Sequence, residues 1–100
     1  MWFITVMEKI EPDEVGWPEF GCCRTPGFYE CYEDARYAVI NNVCDIREYC
    51  YNYAVIEHYD PGLYTPGRPR EWYKYDEASK KYLPIEEPKY CAHIVNIAIG

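Results

Sequence analysis

What this sequence lacks narrows it first. No run approaches the roughly eighteen apolar residues that read as a membrane span, and the residues after Met1 show neither the basic start nor the apolar stretch of a secretory signal. A cytoplasmic chain is therefore expected. In that compartment the six cysteines, Cys22, Cys23, Cys31, Cys44, Cys50 and Cys91, read as reduced thiols rather than as three disulfides. No cysteine pair has the spacing of about two to four residues that structural zinc sites use, and the adjacent Cys22 and Cys23 cannot easily chelate one tetrahedral ion. His58 and His93 fall on different strands, so neither metal nor cofactor is expected. Phosphate-cradling glycine loops and sequence repeats are missing too.

Positive charge is scarce. Ten bases stand against seventeen acids, for a net charge of −7. The imbalance is local: residues 1–60 hold twelve acids and four bases, residues 61–100 five acids and six bases. A field of that sign repels phosphate backbones and disfavours general nucleic-acid binding. The slightly basic second part could still hold a small anion.

What is present suits one core. At 100 residues the chain is near the commonest domain size, and two domains would each bury too little surface to fold alone, so residues 1–100 read as one domain. Twelve residues are Tyr, which buries a ring while keeping its hydroxyl at water or at a partner.

Residues 2–10 are rich in β-branched and aromatic side chains and end at the turn signal Glu11-Pro12-Asp13, which predicts a first strand. Residues 11–27 carry three Gly or Pro breaks and read as a long loop, followed by a short extended piece at Phe28-Tyr29. Tyr32, Ala35, Ala38, Val39, Val43 and Ile46 then recur at helical spacing. Glu33 and Asp34 fall in the first turn, where the helix dipole favours acids, and Asn41-Asn42 or Cys44-Asp45 should end the helix. Residues 49–59 alternate as a strand. Glu71–Tyr75 and Lys81–Ile85 flank a hairpin turn, with Pro84 marking an edge, and Cys91–Ile99 reads as another strand. The expected fold is α+β: a single helix packed on a mainly antiparallel sheet of about five strands, in the order β-α-β-β-β-β. Whether the other face of the sheet is open is the question this leaves.

No catalytic set is recognisable. Cys22 or Cys23 in the long loop is the only attractive nucleophile, but Arg24 is the nearby charge and no base adjoins them. What remains is a recognition constellation. Arg24 and Thr25 lie among aromatics next to a helix N-terminus, while Arg68, Arg70, Trp72, Tyr73 and Lys74 interleave cations with rings, chemistry that stacks a base and grips a phosphate. Arg24, Thr25, Arg70, Trp72 and Lys74 are the ligand-binding candidates. Arg24 could equally pair with Glu30 or Glu33, and 68–74 be a solvated loop and edge strand; nothing in the sequence brings the two segments together.

Gly21, Arg24-Thr25, Gly27-Phe28, Tyr32-Glu33-Asp34-Ala35, Ala38-Val39, Asn41-Asn42, Asp45-Ile46, Tyr53-Ala54-Val55-Ile56-Glu57, Gly62-Leu63-Tyr64 and Pro84-Ile85-Glu86-Glu87-Pro88 together resemble a family of small proteins from gut Gram-positive bacteria and their phages. The likeness spans almost the whole chain. It implies a cytoplasmic, mobile-element setting and carries over no catalytic residues. The resulting expectation is a non-enzymatic intracellular binding protein, an inhibitor of a host defence protein acting through an acidic, tyrosine-rich surface and open to homo-oligomer formation. The alternative is a small-molecule binder that sequesters a nucleotide-like signal in an Arg/aromatic pocket; a thiol-dependent enzyme is the second alternative.

Overall fold

The computed structural model describes residues 1–12, 18–63, 68–88, 91 and 96. Strand β1, Trp2–Met7, is rich in β-branched and aromatic residues and pairs antiparallel on both sides, with β2 (Cys23–Tyr29) and with β3 (Tyr53–His58). Strands β4 (Arg70–Asp76) and β5 (Lys81–Ile85) complete a five-stranded antiparallel sheet in the order β2-β1-β3-β4-β5. Helix α1, Tyr32–Ile40, lies across one face. The fold is thus α+β, one helix on a mainly antiparallel five-stranded sheet. No helix among the described residues is long and apolar enough to cross a membrane.

The helix is held by its small residues. Ala35, Ala38 and Val39 are buried against Ile4 and Val6 of β1, Ala54 and Ile56 of β3, and the rings of Tyr73 and Tyr82. Alanines keep the helix close to the sheet, so the large volume comes from the tyrosines below it; the Tyr82 hydroxyl donates to the Tyr51 carbonyl at 2.5 Å. Helix termination falls at Asn41, whose N–H donates to the Tyr37 carbonyl at 3.1 Å, as the asparagine pair predicts. The β4–β5 hairpin closes through Asp76, which accepts the Ser79 N–H at 3.0 Å and its hydroxyl at 2.6 Å.

Two findings depart from the sequence reading. First, the extended piece at Phe28-Tyr29 is a full strand that starts at Cys23. Pro26-Gly27, read as a break, sits in a β-bulge: Ile4 faces Gly27 but Val6 faces Arg24, so Thr25 and Pro26 together oppose Thr5. Proline has no ladder N–H to give, and an edge-strand bulge is where that costs least. Second, β4 is internal, lying between β3 and β5; Pro84 does mark the edge, on β5.

The far face of the sheet is covered. Met7, Val55 and Trp72 are buried there with Cys91, flanked by Ile10, Phe20, Tyr53 and Ile85. Of the strand expected at Cys91–Ile99, only Cys91 and Asn96 are among the described residues. Residues 13–17 of the first loop, residues 64–67 and His93 also lie outside them.

Candidate functional site

The sequence candidates separate into two places on the sheet. Successive residues of a strand point to opposite faces, so Arg24 and Thr25 cannot share one. Thr25 turns to the far face, where its hydroxyl lies 2.9 Å from that of Thr5. Arg24 stays on the helix side and reaches not Glu30 or Glu33 but Glu48, at 2.6 Å from Nη1 to Oε2. Glu48 wins because the chain after α1 folds back against β2.

Arg70, Trp72 and Lys74 share the far face of β4, with two strands between them and β2. Arg70 is almost enclosed: its Nε lies 2.5 Å from Glu87 Oε1, Nη2 donates to the Cys91 carbonyl at 2.9 Å, and Nη1 lies 3.7 Å from Glu57. Trp72 is buried and donates its indole N–H to Glu87 at 3.3 Å. Lys74 stands 5.7 Å over the Tyr53 ring. Arg70 and Trp72 hold Glu87 against the sheet, and Arg70 also holds the Cys91 carbonyl.

Beside Arg70 is a group the sequence reading missed. Glu57 is fully buried. Its carboxylate accepts the Asn96 backbone N–H at 3.2 and 3.3 Å, the Asn96 amide at 3.1 Å and the Tyr59 hydroxyl at 3.0 Å. Burial nevertheless raises its pKa above the ordinary glutamate value, against the lowering effect of those donors and of Arg70. A lone acid in the apolar run Tyr-Ala-Val-Ile-Glu-His was the available signal. A second shared carboxylate, Glu71, accepts from Tyr32 and Tyr73 beside the Arg36 guanidinium, and burial pushes the Tyr73 phenol far up.

Among the described residues, the Cys23 thiol and the His58 imidazole lie far apart. Cys23 pairs with Met7 at one end of β1, and His58 pairs with Trp2 at the other. At about 3.3 Å per residue the two positions are roughly 16 Å apart. The His58 ring instead packs on Trp2 with centroids 4.5 Å apart. Among the described residues no group of three or more His, Cys, Asp or Glu could hold a metal ion.

What the fold does build is a groove of about 380 Å³ between β2 and the turn that follows α1. Ile4, Ala38, Val43 and Ile46 give it an apolar floor; Arg24, Asp45, Glu48 and Tyr29 stand at its polar rim, and Pro26 and Gly27 form the strand side. The groove is open to solvent rather than closed over.

Its turn is conformationally unusual. Asn42, Cys44, Asp45, Glu48 and Tyr49 all have positive φ, between 47° and 63°. Asparagine and aspartate tolerate this region, but Cys44, Glu48 and Tyr49 each lose on the order of 1 kcal/mol or more there. Surrounding bonds hold the shape. Asn42 Oδ1 accepts the Arg47 N–H at 3.0 Å, its amide donates to Asp45 at 3.1 Å, and the Arg47 guanidinium lies 4.1 Å over the Tyr75 ring while reaching Glu77 at 3.0 Å. Strain held in place by such clamps is a recurrent mark of binding surfaces. Left-handed conformation at Cys, Asp, Glu and Tyr leaves no mark in a sequence, so this side of the groove was invisible there.

Comparison of the chain with protein-family models, with curated proteins and with solved structures finds no match.

Proposed function

We propose that the chain is a small non-enzymatic binding protein that occludes a partner protein through the acidic, tyrosine-bearing surface around the β2 groove. One observation carries this reading: the groove joins an apolar floor to an acidic rim and is left open. A small ligand is ordinarily buried over most of its own surface, which an open groove does not provide. A protein partner brings its own surface to finish the burial. Aromatics suited to such contact are at hand, with Tyr29 36% exposed at the rim and Tyr49 88% exposed in the adjoining turn. An ordinary interface takes about 800 Å² from each partner, near an eighth of the 6260 Å² this chain exposes.

The resemblance to proteins of gut bacteria and their phages supplies the setting, in which the partner is a host defence protein in the cytoplasm. The nucleotide-binding alternative has less behind it, because Arg70 and Trp72 are engaged with Glu87. To test the reading, tagged protein is used to capture partners from a Gram-positive gut bacterial lysate, and each purified candidate is then titrated by calorimetry. A stoichiometric complex is expected. Failure of every purified candidate to bind, together with a melting shift on nucleotide addition that Arg24→Ala abolishes, sinks it in favour of the small-molecule alternative.

A further inference from the structure

Gly27 is a glycine without a local reason. Gly21 has φ +66°, and a Cβ there would sit 2.7 Å from Glu8 Oε2; Gly62 has φ +131°. Gly27 lies outside the left-handed region, and a Cβ added to it would meet nothing within 4 Å. Neither backbone conformation nor a neighbouring atom demands the missing side chain. The position faces Ile4 across the ladder, and the space above it is the groove. Glycine inside a strand often marks where something else approaches the backbone.

We propose that this groove receives an apolar side chain of a protein partner, flanked in that partner by lysine or arginine, and that the bare backbone at Gly27 gives it room. The inference rests on the binding reading above and specifies its contact. The apolar half of the recognition is the floor of Ile4, Ala38, Val43 and Ile46. The basic half follows from charge. Asp45 and Glu48 outnumber Arg24 at the rim, and residues 1–60 carry twelve acids against four bases, so a cationic flank is drawn in and an acidic one repelled. Strand addition along β2 is a poorer mode, because Pro26 and the bulge interrupt that edge.

The test uses a random peptide library displayed on particles and selected on immobilised full-length protein. Peptides enriched on the wild type should place an apolar residue beside lysine or arginine. They should bind Gly27→Leu about tenfold more weakly or worse, while the melting temperature of that variant stays level or rises. Should Gly27→Leu fold poorly, Asp45→Lys with Glu48→Lys supplies the second arm, and the same peptides must lose binding to it. Enriched peptides that are acidic, or that bind Gly27→Leu as well as wild type, overturn the proposal, as does the absence of any enrichment. The two levels stay separable: a purified lysate partner that binds wild type and Gly27→Leu equally removes the groove contact and leaves the binding reading intact.

Discussion

Tyr49 combines two costs: φ of 63° and a side chain left 88% exposed. Replacing it with glycine removes the left-handed penalty but gives the unfolded chain more freedom, two effects of opposite sign. The former is the larger, so Tyr49→Gly should stabilise the fold by about 0.5–1 kcal/mol, a rise in Tm of roughly 2–6 °C for a domain of this size. Calorimetry that shows a fall would mean the ring does structural work. If Tyr49 contributes to the acidic binding surface beside Glu48, the same variant should bind a partner more weakly, stability and binding moving oppositely. Glu57 offers a pH signature. Its folded pKa is raised above the ordinary 4.5 by burial, so its contribution to folding is greatest below that value and fades as pH climbs through the raised one. As pH rises from the ordinary 4.5 through the raised folded pKa, the urea midpoint of wild type should decline relative to that of Glu57→Gln; a constant gap would show that Glu57 titrates alike in both states. Both residues illustrate what a sequence hides. Exposure, φ and the donors that gather on one carboxylate are set by residues distant in sequence or by the local turn, here Asn96 for Glu57 and the post-helix turn for Tyr49.

At the level of elements, periodicity carried the reading wherever one face of an element is buried. The stripe Ala35, Ala38, Val39 is a direct imprint of such burial, whereas β3, buried on both faces from Ala54 to Glu57, was legible as a short run of strand-forming residues ended by Asp60-Pro61-Gly62. Strand β2 escaped because its pattern runs exposed, half-buried, exposed, and because Pro26-Gly27 has the composition of a turn while serving as an edge bulge. The covered far face escaped for another reason: the contacts of Cys91 and Asn96 with the sheet join residues distant in sequence and are invisible until the chain is folded. That cover has a chemical readout. Five of the six thiols are exposed and Cys91 is buried, with burial pushing its pKa up to about 11. Since the thiolate is the reactive species, iodoacetamide on the native protein should add five groups, Cys50 slowly because slight desolvation and the nearby Glu8 and Glu48 raise its pKa. The sixth should appear only in denaturant. A sixth adduct forming at the same rate under native conditions would mean that Cys91 is not held against Arg70 and Trp72 as its hydrogen bond and burial indicate.

Over the whole molecule the charge asymmetry was legible from composition, but its placement was not. The acid-rich part of the chain supplies the helix, β1, β2 and the turn that borders the groove, whereas the basic Arg70 that looked like a ligand grip is spent against Glu57, Glu87 and Cys91. Arg24 is therefore the residue on which the two functional readings disagree in sign. If it grips an anion, Arg24→Ala removes the grip and binding is lost. If the groove draws a basic partner, Arg24 is a partial shield: its guanidinium sits on Glu48 in an exposed pair that contributes little to stability. Removing it frees an acid at the rim, and rim charges act mainly on the rate of association. Arg24→Ala should then speed association with a basic partner by a few-fold at low salt, an advantage that shrinks as added salt shortens the screening length to about 8 Å near physiological ionic strength. Stopped-flow measurement at two salt concentrations decides it, and slower association of the variant at both would place Arg24 in the contact itself.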